Sequence, residues 1–256
     1  MLLAIDVGNS HTVSGVFQDD QLLFHWRLKT DRKKTADELA ASYHSLFSMS
    51  DIEFKDITAV IIATVVPTQQ LSWLDFTKNM GWPTFVVNTK SIQVGMNILT
   101  DHPEEVGADR LANAVAAYAR YKMALIIVDF GTAVTFDCVS KNGEYLGGAI
   151  TPGIAVSLDA LASHAAKLPR IDISSPPDTI IGKNTEDAIK SGILYGYGGM
   201  VDGLVAKLKI EFGSDQPKVV ATGGMASLVA PYTACIESLE PKLTLEGLRI
   251  FYERNR

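Results

Sequence analysis

The sequence predicts an α/β protein of two duplicated half-domains, each a mixed sheet with flanking helices. Three observations predict it. The opening stretch LLAIDVGNSHTV (2–13) recurs halfway along as LIIVDFGTAVTF (125–136), so that Asp6 aligns with Asp129, Gly8 with Gly131 and Thr12 with Thr135 at one constant offset. Each copy is an apolar run, an acid, a glycine two residues on and a second strand-like run, and is followed by the same succession of strands, helix, strand and helix. No long linker or low-complexity tract separates the copies, so the halves should pack closely. The expected division is 1–115 and 116–256, with the boundary inside a helix over Arg110–Tyr121. A nucleotide held between the halves would meet a carboxylate from each.

In the first half, Leu2–Val7 reads as a buried strand, and Leu22, Phe24, Trp26 and Leu28 alternate as a half-buried one after an Asp19-Asp20 turn. Thr35 and Glu38 have the spacing of a capping box, after which Leu39, Tyr43, Leu46 and Phe47 share a helical face. Ala59–Val66 is β-branched and apolar, a central strand stopped at Pro67; a helix over Gln69–Asn79 and a short strand at Thr84–Val87 follow. The alanine-rich stretch Arg110–Tyr121 favours helix.

The second half repeats the pattern with strands at Leu125–Asp129, Val134–Val139 and Tyr145–Ile150, a turn at Lys141-Asn142-Gly143, and a break at Pro152-Gly153. A helix is expected over Ile154–Ser163 and a proline-containing loop over Leu168–Pro177. Asn184 and Asp187 are positioned to cap a long helix from near Thr185. Glycines 192, 196, 198, 199 and 203 either let another element approach that helix or break it. Val219–Thr222 reads as a strand entering Gly223-Gly224, and Leu245, Leu248 and Phe251 put an apolar stripe on a final helix.

Composition narrows the function. A formal net charge of −6, with the charges mixed, gives no reason to expect nucleic acid or an anionic membrane as partner. The two cysteines, Cys138 and Cys235, lie in no C-x-x-C, so a disulfide framework or a zinc site is not expected. The N-terminal apolar run has no basic stretch before it and is interrupted by Asp6, unlike a signal peptide. No run approaches the roughly 18 apolar residues of a membrane span. A cytoplasmic location is the expectation.

The acid–glycine turns are the main candidate site. Phosphates are held by backbone N–H groups in tight turns and by short polar side chains. Gly8 permits close approach, Asn9, Ser10 and Thr12 supply donors, and Asp6 is suited to hold Mg²⁺ directly or through water. One such turn is more often an ordinary hairpin that satisfies itself, because D-x-G turns are common; its recurrence at Asp129-Phe130-Gly131-Thr132 reverses that and favours the functional reading. The chain lacks G-x-x-x-x-G-K-[ST], which excludes a P-loop, and lacks G-x-G-x-x-G after its first strand. Asp109, with Arg110 beside it, either caps a helix or serves as a general base, with the guanidinium binding an anion. Gly223-Gly224 suits either a flat purine lying against bare backbone or a tight strand-to-helix turn. His11 lies within reach of a phosphate, although a lone histidine is more often structural.

Asp6-Val7-Gly8-Asn9-Ser10, Gly107-Ala108-Asp109-Arg110, Asp129-Phe130-Gly131-Thr132-Ala133, Gly147 to Gly153, Lys167-Leu168-Pro169 and Ala221-Thr222-Gly223-Gly224 occur in that order. Together they resemble type III pantothenate kinase, from residue 1 to about residue 250. The resemblance implies the actin-like ATPase superfamily, with two ribonuclease-H-like halves, and ATP-dependent phosphorylation of pantothenate, the first step of coenzyme A synthesis. It implies Mg²⁺, a monovalent cation (K⁺ or NH₄⁺), and a homodimer with the pantothenate pocket near the subunit interface. By position it implies that Asp6, Val7, Gly8, Asn9, Ser10, His11, Thr12, Val13 and Thr132 bind ATP. Asp109 is the implied base; Thr100, Gly107, Ala108, Asp109, Arg110 and Thr185 contact pantothenate; and Asp129 holds the monovalent cation. Thr100 stands where the family usually has tyrosine, His102 where it has asparagine, and Val134 where it has threonine. Competing expectations are another actin-like phosphotransferase, such as a sugar or acetate kinase, a polymerising or chaperone ATPase, and a non-catalytic regulator on the same fold.

Overall fold

A computed structural model of the chain describes residues 1–87, 93–165, 168–177 and 179–256. Lys167 of the Lys167-Leu168-Pro169 motif lies outside the described residues. The chain forms two compact units: Met1–Asn97 with Asp101–Ala116 and Leu243–Arg256, and Ile98–Thr100 with Ala117–Lys242.

The first unit is built on β1 (Leu2–Val7), β2 (His11–Gln18), β3 (Gln21–Lys29), α1 (Ala36–Ser48), β4 (Ala59–Thr64), α2 (Pro67–Asn79) and β5 (Thr84–Val86), and it takes in the start of α3 (Ala108–Tyr121). The sheet order is β3-β2-β1-β4-β5. Strand β1 pairs antiparallel with β2 and parallel with β4, and β2–β3 is antiparallel. Central β1 and β4 are apolar on both faces because both faces are covered, as a parallel core requires. Leu3, Ile5, Val7, Val60 and Ile62 pack with Leu39, Tyr43, Phe47, Trp73 and Phe76 of α1 and α2. The capping box forms as expected, with Thr35 Oγ1 accepting from the Glu38 N–H and Glu38 accepting from the Thr35 N–H. Two expectations shift. Strand β4 ends at Thr64 and α2 starts at Pro67, which is suited to the first helical turn. Phe24 lies exposed on edge strand β3, stacked on Trp26, so alternation there marks a sheet edge more than a buried face.

The second unit repeats the plan with β6 (Leu125–Phe130), β7 (Ala133–Val139), β8 (Tyr145–Pro152), α4 (Ile154–His164), α5 (Thr185–Glu211), β9 (Lys218–Thr222), α6 (Ala226–Val229) and β10 (Ser238–Leu239). Its order is β10-β9-β6-β7-β8, with β6 antiparallel to β7 and parallel to β9. Strand by strand this is the first sheet again, so the sequence repeat is a topological one. Asn184 caps α5, accepting from the Asp187 N–H at 2.8 Å. The glycines do not break α5. Segment Ile98–Thr100 adds to the edge of β8, where the Leu99 N–H donates to the Tyr145 carbonyl at 2.8 Å. The Tyr145 hydroxyl in turn donates to fully buried Asp137 at 2.6 Å.

Neither cysteine joins a disulfide, and burial pushes the Cys235 thiol up to about 12. Among the described residues no helix is long and apolar enough to cross a membrane. The last helix, α7 (Leu243–Asn255), returns to the first unit and packs on β1, β2 and β4, with Leu245, Leu248 and Phe251 buried. The first unit is therefore discontinuous in sequence, whereas the expected division placed 243–256 in the second half.

Candidate active site

The first acid–glycine turn closes because Gly8 donates its N–H to the His11 carbonyl at 3.1 Å. Thr30, just past β3, braces it from outside. Its N–H donates to the Ser10 carbonyl at 3.0 Å, and its hydroxyl donates to the Gly8 carbonyl at 2.8 Å and lies 3.0 Å from that of Thr12. Asn9 and Ser10 are exposed at the apex, Asp6 keeps part of its surface open at the end of β1, Val7 is buried, and Val13 pairs with Asp6 across the sheet. Arg27 lies 3.1 Å from His11 Nδ1. A guanidinium can only donate, so Nδ1 accepts and, in the neutral ring, the proton sits on Nε2. Loss of hydration, then Arg27 and Lys29, holds the His11 ring below the ordinary imidazole value, so it is neutral at neutral pH.

The second turn is one residue shorter. Gly131 donates to the carbonyl of Ala133, at 3.0 Å, and Asp129 pairs with Thr135, whereas Asp6 pairs with Val13. This corrects the ungapped alignment: in register, Thr12, opposite Val7, corresponds to Val134, opposite Phe130, and not to Thr135. The valine that departs from the family pattern thus occupies the threonine position of the first turn. Thr132 is exposed at the apex, and its carbonyl accepts from the Gly153 N–H at 3.0 Å.

Gly107 to Arg110 open α3. Asp109 lies within the first helical turn and not at the cap position, and its Oδ1 accepts the Arg110 N–H at 2.9 Å. A Cβ on Gly107 would come within 2.5 Å of that oxygen, so the glycine leaves room for the carboxylate. In the second unit, Thr100 lies along β8 with its hydroxyl buried and without a hydrogen-bond partner. Thr185 borders a hollow of about 430 Å³ lined mainly by Leu161, Leu168, Ala188, Ile189 and Ile193. The sequence-predicted residues therefore fall into compact groups: 6–13 and 107–110 in the first unit, and 129–132, Thr100 and Thr185 in the second. Sequence reasoning missed Thr30 and Arg32, which brace the first turn. The signal available was a run of cations, Arg27, Lys29 and Arg32, in an acidic chain.

Mg²⁺ commonly takes one or two carboxylates together with phosphate oxygens. Among the described residues no three His, Cys, Asp or Glu side chains gather as a cage. A single part-open acid beside a phosphate-type turn, as at Asp6, fits that mode of binding.

Two five-stranded mixed sheets of the same topology, each opening on an acid–glycine hairpin, define an actin-like ATPase fold. Solved structures with this fold include component A of (R)-2-hydroxyglutaryl-CoA dehydratase from Acidaminococcus fermentans, with a TM-score of 0.56 at 15% identity over 99% of this chain and 96% of that one. A ROK family glucokinase from Streptomyces griseus gives 0.53 at 12% identity over 97% and 98%. The family model for type III pantothenate kinase matches residues 2–207. A type III pantothenate kinase of Citrifermentans bemidjiense is 51% identical, covering 100% of both chains, and one of Desulfotalea psychrophila is 48% identical over 98% and 97%. The chain belongs to the type III pantothenate kinase family.

Proposed function

We infer that this chain transfers the γ-phosphoryl group of ATP to the primary hydroxyl of pantothenate, the first step of coenzyme A biosynthesis. The observation that carries this reading is full-length identity of about half to type III pantothenate kinases, joined to an intact Gly107-Ala108-Asp109-Arg110 at the start of α3. The turn from Asp6 to Val13, which Gly8 leaves open to close approach, takes the phosphates through the N–H groups at its apex and the side chains of Asn9 to Thr12, and Thr132 adds a hydroxyl contact to the nucleotide. Asp109 accepts the hydroxyl proton of pantothenate as its oxygen attacks the γ-phosphorus and ADP leaves. Arg110 pairs with the substrate carboxylate, and Thr100 and Thr185 supply further contacts, the unpartnered Thr100 hydroxyl offering a hydrogen bond. Mg²⁺ near Asp6 and a monovalent cation, K⁺ or NH₄⁺, at Asp129 offset phosphate charge. Most of the rate gain comes from positioning and electrostatics. ADP release with ATP and Mg²⁺ tests the reading. Release that depends on pantothenate and rises with K⁺ over Na⁺ is expected, and no pantothenate-dependent release would refute it.

The working unit is a cytoplasmic homodimer that binds no nucleic acid. Support for the dimer comes from α5. Gly192, Gly196, Gly199 and Gly203 follow Thr185 on one helical face, all are exposed, and nothing lies within 4 Å of where their Cβ atoms would stand. Bare glycine in a helix interior costs about 0.5–1 kcal/mol each relative to alanine, a cost that close contact with a second copy would offset. Gly196→Trp is expected to leave the monomer folded and convert the dimer to monomers in sedimentation velocity. A dimeric variant, or a monomeric parent, would contradict this.

A further inference from the structure

The hydrogen bond from Arg32 Nη2 to Asn9 Oδ1, at 3.1 Å, bears on the handling of the nucleotide. Arg32 stands two residues beyond Thr30, the residue tied to the carbonyls of Gly8 and Ser10, so its loop is anchored beside the turn. Its neighbour Asp31 is turned into its own loop, accepting the Lys33 N–H at 3.0 Å. Phosphate oxygens only accept hydrogen bonds near neutral pH. A carboxamide beside them is productive when its nitrogen faces them and repulsive when its oxygen does. The Arg32 guanidinium only donates, so contact with Oδ1 settles which end of Asn9 it holds and turns Nδ2, with its two donors, away from itself. A chain of net charge −6 nevertheless gathers the cations Arg27, Lys29 and Arg32 around this one turn.

We propose that Arg32 is a positioning residue for the nucleotide triphosphate: it orients the Asn9 carboxamide with nitrogen toward the phosphates and adds fixed positive charge beside them. The inference rests on the ATP role of the first turn. It goes further by assigning a task to a residue outside the glycine turn and the GADR segment. The geometry divides that task between direction, which needs the planar fork, and charge, which a lysine could supply.

ATP affinity of the full-length protein, measured by calorimetry with Mg²⁺, tests it together with steady-state constants. Arg32→Ala is expected to weaken ATP binding and raise KM for ATP by about tenfold, while KM for pantothenate stays within about twofold. Arg32→Lys should recover only part of the loss. Asn9→Ala with Arg32→Ala should be no worse than the poorer single variant, because each change removes the same oriented donor. Unchanged ATP affinity in Arg32→Ala, full recovery by lysine, or losses that multiply in the double variant would each overturn the proposal. Calorimetry needs no turnover. A parent that binds ATP without phosphorylating pantothenate would count against the kinase reading alone, and a parent-like Arg32→Ala against this inference alone.

Discussion

Replacing Asp109 by asparagine is expected to lower kcat by about 10²–10⁴-fold, the usual contribution of a general base, with melting temperature and ATP affinity close to those of the parent. The substitution is isosteric. An asparagine oxygen still accepts the Arg110 N–H that Asp109 Oδ1 accepts at 2.9 Å, so the first turn of α3 keeps its hydrogen bond. Only the capacity to take a proton is lost. Gly107→Ala reaches the same carboxylate by another route. Its Cβ would press on Asp109 Oδ1, the end of a rotatable side chain, so the side chain rotates away and the backbone stays in place. That variant should lose about tenfold in kcat, with little change in stability, as expected for displacement of a positioned group. A coupled assay for ADP and a thermal melt read both. Near-parental turnover in Asp109→Asn would remove Asp109 from the base role, and a large fall in melting temperature would give it a structural one.

The parts of this protein legible from the sequence are those that depend on local periodicity. Leu2–Val7 and Leu125–Phe130 are apolar throughout, apart from their acids, because both faces of the central strands are covered. Thr35 with Glu38, and Asn184 with Asp187, announce helix starts because a cap is settled within four residues. The motif order was legible for the same reason, since each motif is a short contiguous stretch of sequence. What was not legible depends on partners distant in the chain. The shorter second turn is invisible to an ungapped comparison, because a hairpin can lose one residue and still align on either side by chance, as Thr12 and Thr135 do. The return of α7 to the first unit follows from its packing on β1, β2 and β4, and its apolar stripe alone does not say which sheet it meets. Arg32 meets Asn9 across more than twenty residues of chain, where Thr30 also ties the two loops together.

Gly223→Ala is expected to destabilise the fold by about 3 kcal/mol or more and to lower the melting temperature by about 10 °C. Two costs combine. Gly223 has φ +92°, where any side chain is strained by on the order of 1–2 kcal/mol. Its Cβ would also overlap the Asp129 carboxylate and come within 2.5 Å of the Phe130 nitrogen. The carboxylate can rotate, but the Phe130 backbone cannot, because β6 is held by β7 on one side and β9 on the other. The duplication shows why glycine is needed in one half only. In register Asp6 pairs with Ala63 and Asp129 with Thr222, so Thr64 corresponds to Gly223. Thr64 still lies in β4 and carries a side chain, whereas β9 has already ended and the chain turns back across the acid. The glycine is thus what allows the second strand-to-helix turn to close over Asp129. Any Gly223→Ala protein that does fold should respond less to K⁺, because the displaced carboxylate is the proposed cation ligand. Asparagine tolerates positive φ better than alanine does, so Gly223→Asn separates the two costs. A Gly223→Asn variant as damaged as Gly223→Ala identifies atomic overlap as the larger cost, and one close to the parent identifies backbone strain.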